Sequence, residues 1–137
     1  MALMPKKTKF RRHMVGPFIK GPASRGSTVS FGNFALKASS SGILSVAQIE
    51  AARKAISHHT KRSGKLWIRA FADKPITKKP NETRMGGGKG IVSHYGCVVR
   101  KGKIIFELAG VSEAVARNAF SRAASKLAIK TRFVLED

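Results

Sequence analysis

The sequence predicts an α+β fold: a two-layer sandwich in which two helices pack on one face of a mixed sheet. Three observations lead to this prediction. The chain has 137 residues, of which 42% are hydrophobic, enough for one buried core. Two stretches of helical periodicity alternate with short stretches of strand periodicity. Residues 1–28 show neither period, so we expect a basic, extended N-terminal arm followed by a single globular domain over residues 29–137.

The domain is predicted to begin with two short strands and a helix. Apolar residues on either side of Gly32 and Asn33 favour two strand pieces around a turn. Ser45 and Gln48 have the spacing of a capping box, in which each side chain bonds the backbone amide of the other residue. The apolar stripe that follows predicts a helix over residues 46–62.

The rest of the domain is predicted to consist of strands around one further helix. Residues 66–71 alternate as a strand does, and residues 92–99 and 104–108 predict a hairpin around a glycine-containing turn. Ser112 then caps a second amphipathic helix. Residues 129–134 predict the last strand.

Residues 73–91 form a long, basic, glycine-rich loop without periodicity. A loop of this length inside a domain is usually functional or disordered. It is not a nucleotide-binding P-loop, because Thr83 stands where that motif needs glycine and Gly90 where it needs serine or threonine. Its glycines allow backbone amides to approach phosphate groups, and its basic residues add positive charge. Two interpretations stay open here: contact with a polyanion, and a solvated, flexible segment.

The charge of the chain favours a polyanionic partner. The 27 Lys and Arg residues outnumber the 7 Asp and Glu residues, which gives a formal net charge of +20. No acidic residue precedes Glu50, so the N-terminal half is expected to face the polyanion. Repulsion among these charges opposes the compact state unless a polyanion neutralises them.

Several classes of protein find no support in the sequence. No apolar stretch is long enough for a transmembrane helix, and the first residues lack the apolar core of a secretory signal. Cys97 is the sole cysteine, and the adjacent His58 and His59 cannot face one metal ion. Because few acidic residues are available for acid–base catalysis, we predict no enzyme activity and no small-molecule substrate. The lack of an apolar span and of clustered metal ligands leads us to predict no membrane partner, metal or cofactor either.

These features together favour a structural RNA-binding protein. The chain lacks zinc-finger spacing, a basic region with heptads, and the aromatic signature of an RNP motif. Charge concentrated in an arm and a loop suits a large folded RNA. We expect little stacking on bases, since the aromatic residues look mostly internal: Phe31, Trp67, Phe71, Phe106, Phe120 and Phe133. The alternative is a free nucleic-acid chaperone or a DNA-compacting protein.

Ordered strings along the chain resemble one protein family. They are PKKTKFR at 5–11, FGNFALK at 31–37, QIEAAR at 48–53, GKLWIR at 64–69, KPITKKP at 74–80, RMG at 84–86, GKG at 88–90, and AASKL at 123–127 with KT at 130–131. In these strings the chain resembles the L-sixteen family of large-subunit ribosomal proteins of bacteria and organelles. The resemblance runs in register over nearly the whole chain.

The resemblance implies a fold, a function and partners. The fold is α/β-hammerhead-like. The function is that of a structural constituent of the large ribosomal subunit, which binds large-subunit rRNA and helps organise the A-site tRNA region near the peptidyl-transferase centre during translation. The implied partners are that rRNA, A-site tRNA and neighbouring large-subunit proteins. Because the match begins near residue 5, we expect no cleavable presequence. We expect the protein to be located in the ribosome of a bacterium, a mitochondrion or a plastid.

The resemblance also implies site residues. It places Lys6, Lys7, Lys9 and Arg11 on rRNA, and it places a loop of Arg84, Met85, Gly86 and Lys89 towards the tRNA, with Gly87 and Gly88 between them. Arg84 is in addition a candidate for hydroxylation, as in some family members. By their charge we add further residues to the predicted rRNA-binding set: Arg12, Arg53, Lys61, Arg62, Lys65, Arg69, Lys78 and Lys79.

Overall fold

A computed structural model describes residues 3–14, 16 and 19–136 of the chain. Within these residues two helices and seven strands form, which confirms the predicted α+β class. In chain order they are β1 (Phe34–Ala38), β2 (Gly42–Ser45), α1 (Val46–His59), β3 (Lys65–Ile68), β4 (Lys74–Thr77), β5 (Val92–Val99), β6 (Ile104–Ala109), α2 (Glu113–Ala124) and β7 (Thr131–Leu135).

The strands form two antiparallel sheets, so the prediction of one mixed sheet is wrong. One sheet has the order β3-β6-β1-β7 and the other the order β2-β5-β4. The predicted hairpin is also wrong, although the bounds of its strands are nearly right. β6 pairs on both sides within the first sheet and β5 on both sides within the second, so the turn at Gly102 carries the chain from one sheet to the other.

The core lies between the helices and the sheets. α1 packs against α2 and touches β2 and β5, while α2 touches β1 and β7. Phe120 of α2 meets Phe133 of β7 with ring centroids 5.9 Å apart, which marks the inner face of the four-stranded sheet. Leu36 and Phe106 lie on the same inner face and are buried.

Helix α1 begins where the sequence predicts and ends earlier. Ser45 Oγ accepts a hydrogen bond from the Gln48 amide at 3.2 Å, and Gln48 Oε1 accepts one from the Ser45 amide at 3.1 Å, so the capping box is confirmed. The helix stops at His59 rather than at residue 62. Lys61 and Arg62 have φ values of 53° and 63°, which no α-helix can accommodate.

Other predicted bounds change because of pairings that lie far apart in the sequence. Where the structure describes the chain before Gly32 no strand forms, since the amides of residues 30–32 bond a carboxylate instead of a neighbouring strand. Strand β2 was not predicted. Part of the predicted loop 73–91 is strand β4, and Pro75 is tolerated in it because β4 is an edge strand. The strand predicted over 66–71 ends at Ile68.

The described residues up to 28 contain no helix and no strand. They nevertheless contact the domain: Leu3 is buried and accepts a hydrogen bond from the Ala72 amide at 3.0 Å, and the Ile104 amide donates to Gly26 at 2.7 Å. The division into an arm and a domain stays a prediction. Outside the described residues lie Met1, Ala2, Val15, Pro17 and Phe18 of the predicted arm, and Asp137. Neither described helix is long and apolar enough to cross a membrane.

Candidate nucleic-acid interface

A basic groove follows the C-terminal half of α1 and the turn after it. The four lining residues within the helix recur in pairs four positions apart, so the helix brings them to one side, away from the buried stripe of Ile49, Ala52 and Ile56, and the turn after the helix adds the other two. The groove is lined by Arg53, Lys54, Ser57, His58, Lys61 and Arg62. Three predicted rRNA-binding residues, Arg53, Lys61 and Arg62, thus meet in one place.

The turn that closes this groove is strained. Lys61 and Arg62 both have left-handed backbones, which costs about 1–3 kcal/mol for each residue that is not glycine. Hydrogen bonds from the Arg62 amide to Ser57 at 3.0 Å and from the Ser63 amide to Thr60 at 3.0 Å hold the turn. As a result both basic side chains stay exposed beside the groove.

One cation of the groove has a carboxylate partner. Arg53 Nε donates to Glu50 Oε2 at 3.0 Å, and a second bond joins Arg53 Nη2 to Glu50 Oε1. The hydrogen bond from Arg53 holds the pKa of Glu50 below its ordinary value, and the same bond raises the pKa of Arg53. Both side chains keep about a third of their surface exposed, so an RNA phosphate can compete for the guanidinium.

A second basic surface forms where the loop after β4 meets the N-terminal residues. Arg12 Nε donates to the Gly90 carbonyl at 3.0 Å, and Lys89 Nζ donates to the His13 carbonyl. Within the loop, Lys79 Nζ donates to the Gly86 carbonyl at 2.9 Å. Residues predicted for rRNA contact and residues predicted for the tRNA-facing loop are therefore neighbours.

The tip of this loop is open. Arg84 and Met85 are exposed, and apart from the adjacent residues of the chain no described atom lies within 4 Å of a Cβ atom built at Gly86, Gly87 or Gly88. All three glycines have φ between 79° and 101°, a conformation that other residues rarely adopt. The tip can therefore offer both backbone amides and the Arg84 guanidinium to phosphate oxygens.

The remaining predicted cations differ in availability. Arg69 is the least available: its side chain is 19% exposed, lies 3.4 Å from Glu107 Oε2, and donates to the Thr28 carbonyl at 2.6 Å. The guanidinium of Arg69 therefore bonds groups of the protein itself and is less available to a phosphate. The others are exposed at the surface: Lys6, Lys7, Lys9, Arg11, Lys65 and Lys78.

The expectation of internal aromatic residues is wrong for two of the six. Phe106 and Phe120 are buried, but Phe31 is 60% exposed and Phe71 is 46% exposed. The alternation in β3 already places Trp67 on the side opposite to Leu66 and Ile68. The position of Phe31 could not be found that way, because it depends on Glu107, 76 residues later.

The described residues hold no group of three or more His, Cys, Asp or Glu side chains that could bind a metal ion. Cys97 is buried in β5, and burial raises the pKa of its thiol despite the nearby Lys103 ammonium. This is the environment of a structural cysteine rather than a nucleophile.

Comparison with known proteins shows the family to which the chain belongs. The sequence profile of the family described as ribosomal protein L16p/L10e matches residues 5–134. The chain belongs to this family. It is 54% identical over 134 residues to the large ribosomal subunit protein uL16 of Aeromonas hydrophila, and equally to that of Aeromonas salmonicida. Each alignment covers 98% of this chain and 97% of the relative.

Membership confirms the resemblance found in the sequence. A member of this family is a structural ribosomal protein and not an enzyme, as predicted. Both relatives are bacterial, in agreement with a ribosome of bacterial or organellar type.

Proposed function

We propose that this chain is a structural constituent of the large ribosomal subunit that binds large-subunit rRNA and helps organise the A-site tRNA region near the peptidyl-transferase centre. The observation that carries the proposal is the family match over residues 5–134, with relatives named as large ribosomal subunit proteins at 54% identity. The net charge of +20 and the two basic surfaces supply the physical means.

The α1 groove and the exposed N-terminal cations are the proposed rRNA contacts. Lysine and arginine side chains that neutralise phosphates release condensed counterions, and this release supplies much of the binding free energy. Such contacts position a protein on RNA without reading its sequence. A groove lined by five basic or imidazole side chains fits that role.

The tip at Arg84, Met85 and Gly86–Gly88 is the proposed tRNA-facing element. Its arginine is exposed and can bond a phosphate through two nitrogens at once, while the glycines let an RNA backbone come close. Lys89 donates a hydrogen bond to the His13 carbonyl, so the loop lies against the N-terminal residues that carry proposed rRNA contacts. The exposed Arg84 side chain is also accessible to a hydroxylating enzyme.

Sedimentation tests the proposed function. In a lysate centrifuged through a sucrose gradient at high salt, we expect the tagged full-length chain to migrate with large ribosomal subunits. A slow peak of free protein would contradict the proposal and favour a free nucleic-acid chaperone or DNA-compacting protein.

Replacement of Arg84 by glutamine tests the loop. Large subunits that carry Arg84→Gln should assemble normally but bind A-site tRNA more weakly, because a phosphate contact is lost at an exposed site. Lys126→Gln, which removes one exposed charge after α2, is the matched control. Equal A-site occupancy in both variants and the wild type would refute the loop assignment.

A further inference from the structure

Two aromatic rings stack on the outer face of the four-stranded sheet. Phe31 and Trp67 have ring centroids 6.0 Å apart and an angle of 20° between their planes. Trp67 pairs across the sheet with Glu107, so both point away from the inner face that Phe106 and Leu108 line. Phe31 is 60% exposed, which leaves an aromatic surface open to solvent.

Glu107 fixes Phe31 in this exposed position. Its buried carboxylate oxygen Oε1 accepts hydrogen bonds from the amides of Ser30, Phe31 and Gly32 at 2.8, 3.1 and 3.4 Å. Gly32 presses against the sheet so closely that a Cβ there would lie 2.8 Å from the Leu108 carbonyl oxygen. Because three amides and a close backbone contact hold this segment, the Phe31 ring is preorganised rather than loosely exposed.

Positive charge surrounds the two rings. Lys65 Nζ lies 5.2 Å from the centre of the Trp67 ring, and Arg69 Cζ lies 5.6 Å from the centre of the Phe31 ring. Glu107, the carboxylate that holds the segment, is fully buried and already faces Arg69. The side that a partner would meet therefore combines an aromatic surface with an exposed ammonium group.

We propose that Phe31 and Trp67 form a stacking platform for an unpaired base of an RNA strand, with Lys65 placed to meet its phosphate. This inference deepens the proposed rRNA-binding function and rests on it. A nucleotide joins a π face to a negative charge, which matches rings beside a cation. An apolar protein segment would match the rings but would leave the Lys65 ammonium without a counter-charge.

Trp67 is the single tryptophan of the chain, so its fluorescence reports on the platform directly. The full-length protein is titrated with a single-stranded adenosine hexaribonucleotide and with an abasic hexamer of equal phosphate number. We expect saturable quenching of Trp67 emission by the first and none by the second. Equal quenching by both hexamers, or by neither while filter binding shows that RNA is held, would overturn the platform but leave rRNA binding standing.

Variants add an independent readout. Phe31→Leu should bind a dye-labelled adenosine hexamer about tenfold more weakly, as expected for the loss of one stacked base. Phe71→Leu, at an exposed aromatic outside the pair, should bind like the wild type, and Phe31→Tyr should keep the quenching. Unchanged affinity in Phe31→Leu would refute the proposal; if that variant does not fold, the comparison of the two hexamers on the wild type still decides.

Discussion

Glu107 is the residue on which the start of the domain depends. It is one of only 7 acidic residues in the chain, and it is fully buried. Burial of a carboxylate is costly unless hydrogen bonds and a nearby opposite charge compensate it. Three backbone amides and the Arg69 guanidinium provide that compensation here, and in return they fix residues 30–32 against the sheet.

Glu107→Gln tests this role. The substitution keeps one oxygen for the amides but leaves Arg69 without its counter-charge and weakens bonds to a charged acceptor. We expect the free energy of unfolding to fall by about 2 kcal/mol, the usual range for hydrogen bonds to charged groups. Urea denaturation monitored by circular dichroism measures this free energy of unfolding.

Glu113→Gln is the matched control for that substitution. Glu113 and Arg117 form an exposed ion pair one helical turn apart, at 2.9 Å, and such pairs contribute at most about 0.5 kcal/mol. If Glu113→Gln destabilised the protein as much as Glu107→Gln, the anchoring role of Glu107 would be wrong.

At the scale of elements, the helix starts are the features that the sequence specifies best. Ser45 with Gln48 and Ser112 are local signals, and both helices begin directly after them. The end of helix α1 and the pairing of the strands are not specified by such local signals. The end of α1 depends on the left-handed turn at Lys61, and β4 forms because it can pair with β5 despite Pro75. Neither fact can be read from periodicity in one segment.

Strand pairing explains the largest error in the predicted fold. Residues 92–99 and 104–108 satisfy every local criterion of a hairpin, including a glycine with positive φ at Gly102. They do not pair, because β6 bonds β1 and β3 while β5 bonds β2 and β4. Such choices depend on which distant strands compete for an edge.

The two helix caps predict a difference in stability. Ser45→Ala removes a capping box and should cost about 1 kcal/mol of unfolding free energy. Ser112→Ala removes a single bond of 3.4 Å from the Val115 amide and should cost less. Thermal denaturation of both variants shows which substitution lowers the stability more. A larger loss of stability in Ser112→Ala than in Ser45→Ala would contradict the roles assigned to the two caps.

At the scale of the whole molecule, positive charge exceeds what the fold can neutralise. With 27 basic and 7 acidic residues, 20 positive charges remain even if every acid finds a partner. Among the described residues, Arg53, Arg69 and Arg117 each form an ion pair with a glutamate. Part of the excess lies in the α1 groove and around the loop that Arg12 and Lys89 join to the N-terminal residues.

The candidate interface was predictable in composition and not in arrangement. The density of basic residues in the arm and the loop is visible in the sequence, and helical spacing suffices to group Arg53 with Ser57 on one side of α1. The contact between Lys89 and His13 spans 76 residues, and the exposure of Phe31 depends on a distant carboxylate. Long-range contacts of this kind leave no local signal.

The salt dependence of rRNA binding tests the central claim most directly. Filter binding to large-subunit rRNA over a range of salt concentrations gives the slope of log affinity against log salt, about 0.7–0.9 for each neutralised phosphate. The double substitution Lys61→Gln and Arg62→Gln should make that slope shallower by about 1.4–1.8. The charge-matched double substitution Arg122→Gln and Lys126→Gln, at exposed positions on α2 and after it, should leave the slope unchanged. Affinity that does not vary with salt, or equal changes in the two double variants, would contradict the assignment of this basic surface to rRNA.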